Sequence, residues 1–456
     1  MSDLIISVSG LRGVVGGSLT PDVACRYVSA FARRLKSSVA DHRPLVIVGR
    51  DGRDSGAVLR DIVAASLRAS GCDVLDADVV ATPTIGVLVR ARGADGAIQI
   101  TASHNPAPYN GMKLFGPTGR VLDATSGAEV RASYFDSQSA WVAHDLLGDI
   151  QPVDDPHAPH LVAVLTTVDV EAIQARRYRV LLDSNHGAGG ALGSELLKRL
   201  GCEIVLVGGT PDGQFEHVPE PTADNLQMIA SRVVAERCEI GFCQDPDADR
   251  LALIDAGGRY IGEEYTLALC VQRALADATT RGPIVINGAT SGMSEMVATE
   301  AGVMSHRSAV GEANVVDRML AIGATYGGEG NGGPIDPRVG MVRDSFVGIA
   351  QVLDWMAKTG KSLAQLADAL PKLAIHKTKV TLDATKLPRI LTAIAAAHPD
   401  AVADHSDGLR LAWPGKWLLV RGSNTEPIVR LIAEADSETR AVQMCESAAA
   451  IIARLT

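Results

Sequence analysis

The chain is short of aromatic residues, positive charge and long apolar runs, and these shortages exclude several classes of protein. Aromatic residues make up 4% of its 456 residues. The formal net charge of -10 argues against a nucleic-acid-binding protein, which normally has a basic surface. No segment approaches the roughly 20 consecutive apolar residues that span a bilayer, and we find no signal peptide. We therefore expect a soluble, cytoplasmic protein that binds neither nucleic acid nor membrane.

Paired cysteines of the kind that hold zinc or build a disulfide framework are also missing. The seven cysteines stand singly, at positions 25, 72, 202, 238, 243, 270 and 445, and their number is odd. Single, scattered thiols are typical of a reducing compartment.

What the chain does contain is a repeated pattern of strands and helices. Three continuous apolar runs, at 44–48, 179–183 and 283–286, are each followed by a loop and then by a helical stretch that ends near a glycine. Continuous apolar strands that alternate with helices indicate sheets covered on both faces. Together with the low aromatic content, the repeat predicts three related α/β domains.

The C-terminal part has a different pattern. Residues 377–382 alternate in polarity, 409–413 and 417–420 are typical of strands, and helices are predicted at 386–397 and from 437 to the end. These elements predict a small α+β domain. We predict the domain boundaries 1–153, 154–256, 257–370 and 371–456.

Residues 101–106 (Thr-Ala-Ser-His-Asn-Pro) carry the first candidate site. They follow a short apolar run at 97–100 and precede turn-forming Asn-Pro and Asn-Gly pairs. A serine at the end of a strand, in a loop that cannot continue as regular structure, is suited to act as a nucleophile or phosphate carrier. The alternative is a serine that caps a helix or completes a turn, so Ser103 alone decides nothing.

A second candidate is the acidic turn at residues 245–250 (Asp-Pro-Asp-Ala-Asp-Arg). Asp245, Asp247 and Asp249 repel one another unless a cation lies among them, and carboxylate oxygens without nearby His or Cys favour Mg²⁺. Arg250 places an anion-binding group beside them. The alternative is a solvated acidic turn.

Two further loops are candidates for ligand binding. Residues 327–333 form a glycine-dense loop in which Glu329 and Asn331 suit sugar hydroxyls, unless the segment is a flexible linker. Residues 421–427 combine hydroxyl, amide and arginine groups that suit a phosphate, unless they form an ordinary polar turn. The loop at 49–54 carries both charges, and an ion-pair role and a binding role are equally open.

The four motifs, taken in order, resemble those of the α-D-phosphohexomutases, the family of phosphoglucomutase, phosphomannomutase and phosphoglucosamine mutase. The resemblance covers essentially the whole chain. It implies four domains around a central cleft, the fourth moving as a lid. It also implies an isomerase-class enzyme that interconverts hexose 6-phosphate and hexose 1-phosphate through a phosphoserine and a hexose 1,6-bisphosphate intermediate, with Mg²⁺ as cofactor.

The resemblance also assigns roles to individual residues. Ser103 would carry the phosphoryl group and, with the three aspartates Asp245, Asp247 and Asp249, would bind Mg²⁺. Arg12, His104 and Lys113 would line the serine's site, with Lys113 a candidate general base. The residues that would contact the substrate are Arg250, Glu329, Asn331, Arg421, Ser423, Asn424, Thr425 and Arg430.

The chain departs from the family pattern in two places. Many bacterial members have serine where Asn331 stands and histidine where Gly333 stands, so an acid or base role for that histidine cannot be carried over. The loop at 311–314 also lacks a basic residue that several relatives place there.

Three questions stay open at this level. The opening motif at residues 8–13 favours phosphoglucosamine mutase over phosphomannomutase or phosphoglucomutase. A Mg²⁺-dependent sugar phosphatase and a non-catalytic sugar-phosphate-binding protein remain the more remote alternatives. The enzyme is expected to be a monomer or homodimer.

Overall fold

The computed structural model describes residues 4–8, 10–39, 41–136, 140–423 and 428–455. Its first α/β unit is built on a seven-stranded mixed sheet of strand order β1-β2-β6-β5-β3-β4-β7. The elements of this unit are β1 (Ile5–Ser7), β2 (Gly10–Val14), α1 (Pro21–Ser38), β3 (Leu45–Arg50), α2 (Asp54–Ala69), β4 (Asp73–Val79), α3 (Thr82–Arg92), β5 (Gly96–Ile100), β6 (Tyr109–Phe115), α4 (Ala124–Asp136) and β7 (Ile150–Pro152). Strand β3 is parallel to β4 and β5, and β6 is antiparallel to β5.

The second unit has a four-stranded sheet of order β11-β10-β8-β9. Its elements are α5 (Ala158–Leu165), α6 (Val170–Gln174), β8 (Arg179–Asp183), α7 (Gly189–Arg199), β9 (Glu203–Val207), α8 (Gln227–Ala235), β10 (Ile240–Gln244) and β11 (Leu251–Asp255). The strand predicted at 179–183 is found with those bounds, because its apolar residues form a continuous buried run.

The third unit has a four-stranded sheet of order β13-β12-β14-β15. Its elements are α9 (Glu263–Ala276), β12 (Ile284–Asn287), α10 (Met293–Glu300), β13 (Ser305–Ser308), α11 (Glu312–Ile322), β14 (Tyr326–Glu329), β15 (Gly333–Ile335), α12 (Ser345–Thr359) and α13 (Leu363–Ala369). Helix α12 starts where the Asp344 side chain accepts bonds from two backbone amides and ends at Gly360, which has a left-handed backbone.

The C-terminal unit has a five-stranded antiparallel sheet of order β16-β20-β19-β18-β17. Its elements are β16 (Ala374–Thr381), α14 (Leu387–Ala397), β17 (Val402–Asp404), β18 (Leu409–Trp413), β19 (Lys416–Gly422), β20 (Ile428–Ala435) and α15 (Glu438–Leu455). The predicted fold class, three related α/β domains and a C-terminal α+β domain, is confirmed.

The interpretation of residues 327–333 as a loop is wrong at both ends. Residues up to Glu329 belong to β14 and residues from Gly333 onward to β15, so the segment is a tight antiparallel hairpin. Glycine is required within the first strand by close packing. A Cβ on Gly327 would lie 2.4 Å from the Met319 Sδ and 2.9 Å from the Val285 carbonyl oxygen. The glycine density therefore reflects packing as well as a turn.

One apolar core joins the three α/β units. It includes Val87 of α3, Leu161 of α5, Leu182 of β8, Leu267 of α9 and Phe346 of α12. The predicted domain boundaries fall between elements of successive sheets, and they stay a prediction. All seven cysteines are free thiols, and no described helix is long and apolar enough to cross a bilayer.

A buried histidine ties the same three units together. His160 of α5 is fully buried; its Nδ1 lies 2.8 Å from the Thr84 hydroxyl of α3, and its Nε2 lies 2.7 Å from Oδ2 of Asp344. A neutral imidazole satisfies both contacts if Nε2 donates to the carboxylate and Nδ1 accepts from the hydroxyl. The ring therefore fixes the start of α12 relative to the first two units.

We predict that His160→Ala destabilises the protein by roughly 2–3 kcal/mol, because it leaves two buried polar groups without partners. The measurement is chemical denaturation followed by circular dichroism. The matched control is His144→Ala, since that histidine is exposed. Equal stability of the two variants would show that the bridge does not contribute.

Candidate active site

Ser103 lies just beyond the carboxyl end of β5, in the connection to β6. Its backbone has a φ of +50°, a conformation that is uncommon for a residue with a side chain. The Thr101 hydroxyl oxygen accepts from the Ser103 amide at 2.8 Å and stabilises this turn. The Ser103 hydroxyl donates to Oδ2 of Asp245 at 2.9 Å, and the His104 Nδ1 lies 3.3 Å from the Ser103 hydroxyl oxygen. The structure thus brings the predicted serine and acidic turn together.

Arg53 fixes the loop that carries Ser103 through hydrogen bonds to its backbone. This arginine is 2% exposed and forms an ion pair with Asp51. Its guanidinium donates to four backbone carbonyls of the loop, those of residues 103, 105, 106 and 109. The ring of Phe215, from the second unit, lies 5.1 Å from the guanidinium carbon. The loop at 49–54 therefore has the ion-pair role, and it also fixes the conformation of the serine loop.

Asp245, Asp247 and Asp249 are fully buried and converge on one point. Each offers an oxygen within 4.8 Å of the others, the spacing expected of ligands to a single metal ion. Oδ1 of Asp247 and Oδ1 of Asp249 are buried without a hydrogen-bond partner. Buried carboxylate oxygens without partners are costly, so the arrangement fits a divalent cation with oxygen ligands.

The pKa values of the triad show how strongly its charges interact. Burial raises the pKa of Asp245 well above its usual range, and the neighbouring Asp247 and Asp249 raise it further. Burial alone would also raise the pKa of Asp247, but the Lys113 ammonium and the Thr82 hydroxyl outweigh burial and lower it. The Thr82 hydroxyl donates to Oδ2 of Asp247 at 2.5 Å.

Lys113 of β6 is placed as a cation between two aspartates. Its Nζ lies 2.6 Å from Oδ2 of Asp247 and 2.8 Å from Oδ2 of Asp249. Burial alone would lower the pKa of Lys113, but these two carboxylates outweigh burial and raise it. The environment therefore favours the ammonium, whereas a general base needs the free amine. The general-base assignment stays a prediction that these contacts do not favour.

His104, Arg12 and Arg250 gather near the serine, as the resemblance implies. Burial, assisted by the cations of Arg250 and Arg12, lowers the pKa of His104 to about 2 and keeps the ring neutral. Nη1 of Arg12 donates to Oδ1 of Asn105 at 3.0 Å. Among the described residues, the Arg250 side chain has one distant ion pair, with Glu220 at 3.9 Å, and its buried Nε has no partner. Two guanidinium groups thus lie close enough to affect the His104 ring beside Ser103.

Glu329 is buried in a dense set of contacts. Its Oε1 accepts from the Asn287 amide group at 2.7 Å and from the Gly311 backbone at 3.0 Å. Its Oε2 accepts from Arg343 at 2.9 Å and from Asn331 at 3.4 Å. Asn331 keeps a buried Oδ1 without a partner, so it is the freer of the two predicted sugar contacts.

The C-terminal unit supplies Arg421 and Arg430, which face each other in register on β19 and β20. Nε of Arg421 lies 3.2 Å from Oδ1 of Asp407. The Ser423 amide donates to the Ile428 carbonyl at 2.9 Å, which closes the predicted phosphate-binding loop at its base. The predicted contacts Asn424 and Thr425 lie outside the described residues.

Three site residues were not singled out from the sequence. Thr82 and Arg343 carry no local signal, because each reaches its carboxylate partners only through the fold. Arg53 carried a signal, the mixed-charge loop, but its four carbonyl partners belong to a segment some 50 residues away in sequence.

We predict that Arg53→Gln destabilises the protein by roughly 3 kcal/mol, because Asp51 is left buried without its counter-ion. Hydrogen exchange of the peptide spanning 101–109 should accelerate in the variant. Arg50→Gln is the matched control, since Arg50 pairs with the exposed Asp78. Unchanged exchange in the 101–109 peptide would show that the loop keeps its conformation without Arg53.

Comparisons with known proteins agree with this architecture. Four family descriptions match the chain in order: phosphoglucomutase/phosphomannomutase alpha/beta/alpha domain I at residues 4–141, domain II at 158–258, domain III at 263–373 and the C-terminal domain at 378–451.

Individual relatives match over almost the full length. A phosphoglucomutase/phosphomannomutase of Thermococcus kodakarensis is 37% identical, with 96% of each chain covered. A phosphoglucosamine/phosphogalactosamine mutase of Sulfurisphaera tokodaii is 31% identical, with 95% of this chain and 96% of that protein covered. The crystal structure of a phosphoglucomutase/phosphomannomutase family protein from Burkholderia thailandensis superimposes with a TM-score of 0.85 at 27% identity, covering 99% of this chain and 97% of that one. The resemblance drawn from the four motifs is thereby confirmed, and the chain belongs to the phosphoglucomutase/phosphomannomutase family.

Proposed function

We propose that the protein is a phosphohexomutase that interconverts hexose 6-phosphate and hexose 1-phosphate, with Ser103 as the phosphoryl carrier. The observation that carries this proposal is the contact between the Ser103 hydroxyl and the buried aspartate triad. A serine fixed at a strained loop position beside a metal-binding group is suited to hold and release a phosphoryl group. Family membership supports the same activity.

The reaction consists of two phosphoryl transfers. In the first, the bond between phosphorus and the Ser103 oxygen breaks while a sugar hydroxyl oxygen bonds to phosphorus, giving the hexose 1,6-bisphosphate. The hydroxyl proton ends, in net terms, on the Ser103 oxygen. After the bisphosphate turns over in the cleft, its other phosphate returns to Ser103 with the reverse proton movement. The net change is an isomerisation that needs no external phosphate donor.

The oxygen-rich triad supports Mg²⁺ as the cofactor. Asp245, Asp247, Asp249 and the Ser103 oxygen would hold it, and the unpartnered carboxylate oxygens match its preference for hard ligands. When bound, it would offset negative charge on the transferring phosphoryl group. The chain's own cations, Lys113, Arg12 and Arg250, add positive charge on the same side of the cleft, and electrostatic stabilisation of this kind is the main need in phosphoryl transfer.

The non-reacting phosphate needs its own binding residues. We assign it to Arg421, Ser423, Asn424, Thr425 and Arg430 of the C-terminal unit. Because the bisphosphate must bind in two orientations, these residues are expected to recognise the phosphate rather than the sugar. Glu329 and Asn331 are assigned to the sugar hydroxyls, with Asn331 making the more direct contact because its Oδ1 lacks a partner.

The two more remote alternatives make different demands on the site. A sugar phosphatase would release inorganic phosphate and would not respond to hexose 1,6-bisphosphate. A binding protein would turn over no substrate, although it would have no need of a strained serine beside three buried carboxylates. Neither alternative is favoured by an observation of its own.

We propose glucosamine phosphate as the preferred substrate, on the strength of the motif at residues 8–13 and of a relative named for glucosamine and galactosamine phosphates. A coupled assay of glucosamine 1-phosphate, galactosamine 1-phosphate, mannose 1-phosphate and glucose 1-phosphate, with and without the matching bisphosphate, tests this ranking. The highest kcat/KM is expected for glucosamine 1-phosphate. A higher value for mannose or glucose 1-phosphate would contradict the assignment of substrate while leaving the mutase activity in place.

We predict that Ser103→Ala abolishes mutase activity while leaving the fold nearly unchanged, because the small hydroxyl contributes little to packing. The intact mass of the wild-type protein incubated with glucose 1,6-bisphosphate should show one added phosphate, mapped to the peptide containing Ser103. Ser37→Ala is the control, since that serine is exposed. Residual activity of the Ser103 variant equal to that of the control would exclude the phosphoserine mechanism.

We predict that Asp247→Asn lowers kcat by roughly 100-fold or more and raises the Mg²⁺ concentration needed for half-maximal rate, because a ligand charge is lost where negative charge develops. The measurement is rate against Mg²⁺ concentration, with direct Mg²⁺ binding followed by calorimetry. Asp224→Asn, at an exposed position, is the control. Superimposable curves for the two variants would mean that the triad does not bind the metal.

A further inference from the structure

Arg343, two residues before the start of α12, contacts three carboxylates that come from three different segments. Its Nη2 lies 2.6 Å from Oδ2 of Asp249, its Nη1 lies 2.9 Å from Oε2 of Glu329, and its Nε lies 2.9 Å from Oε2 of Glu312. The side chain is 9% exposed. One rigid guanidinium therefore joins the acidic triad of the second unit to the sugar-contacting hairpin of the third.

Gly333 makes room for this arginine. A Cβ at position 333 would lie 2.5 Å from Cδ of Arg343, 2.8 Å from its Cγ and 2.9 Å from its Cβ. Those distances are shorter than any non-bonded carbon contact, so any side chain at 333 would displace the stem of Arg343. Gly333, which departs from the bacterial family pattern, and Arg343 are therefore a matched pair in this chain.

The geometry of the guanidinium sets the relative placement of its partners. Its donors lie in one plane at fixed angles, unlike the rotating donors of a lysine ammonium. Asp249 and Glu329 are consequently held at a set separation and orientation. Glu329 has its other oxygen fixed by Asn287 and Gly311, which leaves Arg343 as the link between that carboxylate and the triad.

We infer that Arg343 is a positioning residue that couples the phosphoryl-transfer end of the cleft to the sugar-contacting end, in the space that glycine leaves at position 333. This inference rests on the proposed function, since it takes Asp249 as a metal ligand and Glu329 as part of the sugar site. It assigns Arg343 no contact with the substrate. Its effect passes through the two carboxylates that it orients.

The test is a double-mutant cycle on Arg343→Lys and Glu329→Gln. Lysine keeps the positive charge but cannot span three carboxylates with fixed geometry. Each single variant is expected to weaken binding of glucose 1-phosphate, measured by calorimetry, by about tenfold, and to lower kcat/KM by at least that factor. If Arg343 acts through Glu329, the Kd of the double variant for glucose 1-phosphate should lie within about threefold of the Kd of the single variant that binds more weakly. It should not reach the product of the two single effects.

Arg338→Lys combined with Glu329→Gln is the matched control, because Arg338 pairs with Asp336 in the same unit and touches none of the three carboxylates. In this control, the effects of the two substitutions on binding of glucose 1-phosphate should multiply. Multiplying effects in the Arg343 cycle would overturn the inference. Thermal denaturation of each variant separates a loss of coupling from a loss of fold.

Gly333→Ala supplies a second, independent test that keeps the arginine. The added methyl meets Cγ and Cδ of the Arg343 stem, so it should weaken glucose 1-phosphate binding, and this effect should be much smaller in an Arg343→Ala background, which lacks both atoms. The control is Gly340→Ala, since a Cβ at 340 has its nearest atom at 3.6 Å. An effect of Gly333→Ala that is undiminished in the Arg343→Ala background would contradict the pairing.

The tests distinguish a failure of the coupling from a failure of the proposed function. Binding of glucose 1-phosphate without mutase turnover in the wild type would contradict the function and leave the coupling testable by calorimetry. Turnover with multiplying effects would contradict the coupling alone. A wild type that binds no hexose phosphate would contradict both.

Discussion

The arrangement of this cleft depends on how the fold manages a concentration of buried negative charge. Asp245, Asp247 and Asp249 lie within a few ångströms of one another, and Glu312 and Glu329 lie close behind them. Burying so many carboxylates is unfavourable unless each finds a cation or several donors. Lys113 and Arg343 are the chain's response, each shared between carboxylates, and even so burial raises the pKa of Glu312 to about 7. The loops around the triad are therefore fixed by electrostatics as much as by packing.

The repeated α/β architecture brings these groups together. Ser103, the triad and Glu329 each stand at or just beyond the carboxyl end of a strand, in the first, second and third units respectively. Ligand-binding residues commonly gather at that end of α/β sheets. The shared apolar core holds the three sheets in one body, so residues more than 140 positions apart, such as Ser103 and Asp245, meet at hydrogen-bonding distance. The buried His160 bridge adds a polar constraint at the same junction.

What the sequence could and could not predict follows from the range of each interaction. Ser103 and the aspartates could be singled out because they belong to short motifs of consecutive residues, at 101–106 and 245–250. The strand at 179–183 was predictable because continuous burial leaves a continuous apolar run. Arg343 and Thr82 could not be singled out, because the residues that they contact in the site lie far from them in the sequence. The glycines at 327–333 were misread as a loop because glycine is typical both of flexible segments and of close packing. Only the contacts in the fold, such as that of Gly327 with Met319, distinguish the two.

In the C-terminal unit, too, one carboxylate is shared between several donors. Arg421 directs its Nε to Asp407, and Asp407 also accepts a bond from the backbone of Val310 in the third unit, at 2.9 Å. Close packing fixes the turn that carries this aspartate, because a Cβ on Gly408 would lie 2.3 Å from the Val420 carbonyl oxygen of β19. Asp407 thus joins the arginine assigned to the non-reacting phosphate to a loop of the neighbouring unit. The Gly292 amide of the third unit likewise donates to Oε1 of Glu434 at 2.8 Å. The junction between the third and fourth units therefore depends on carboxylates of the C-terminal unit that accept from backbone amides of the third.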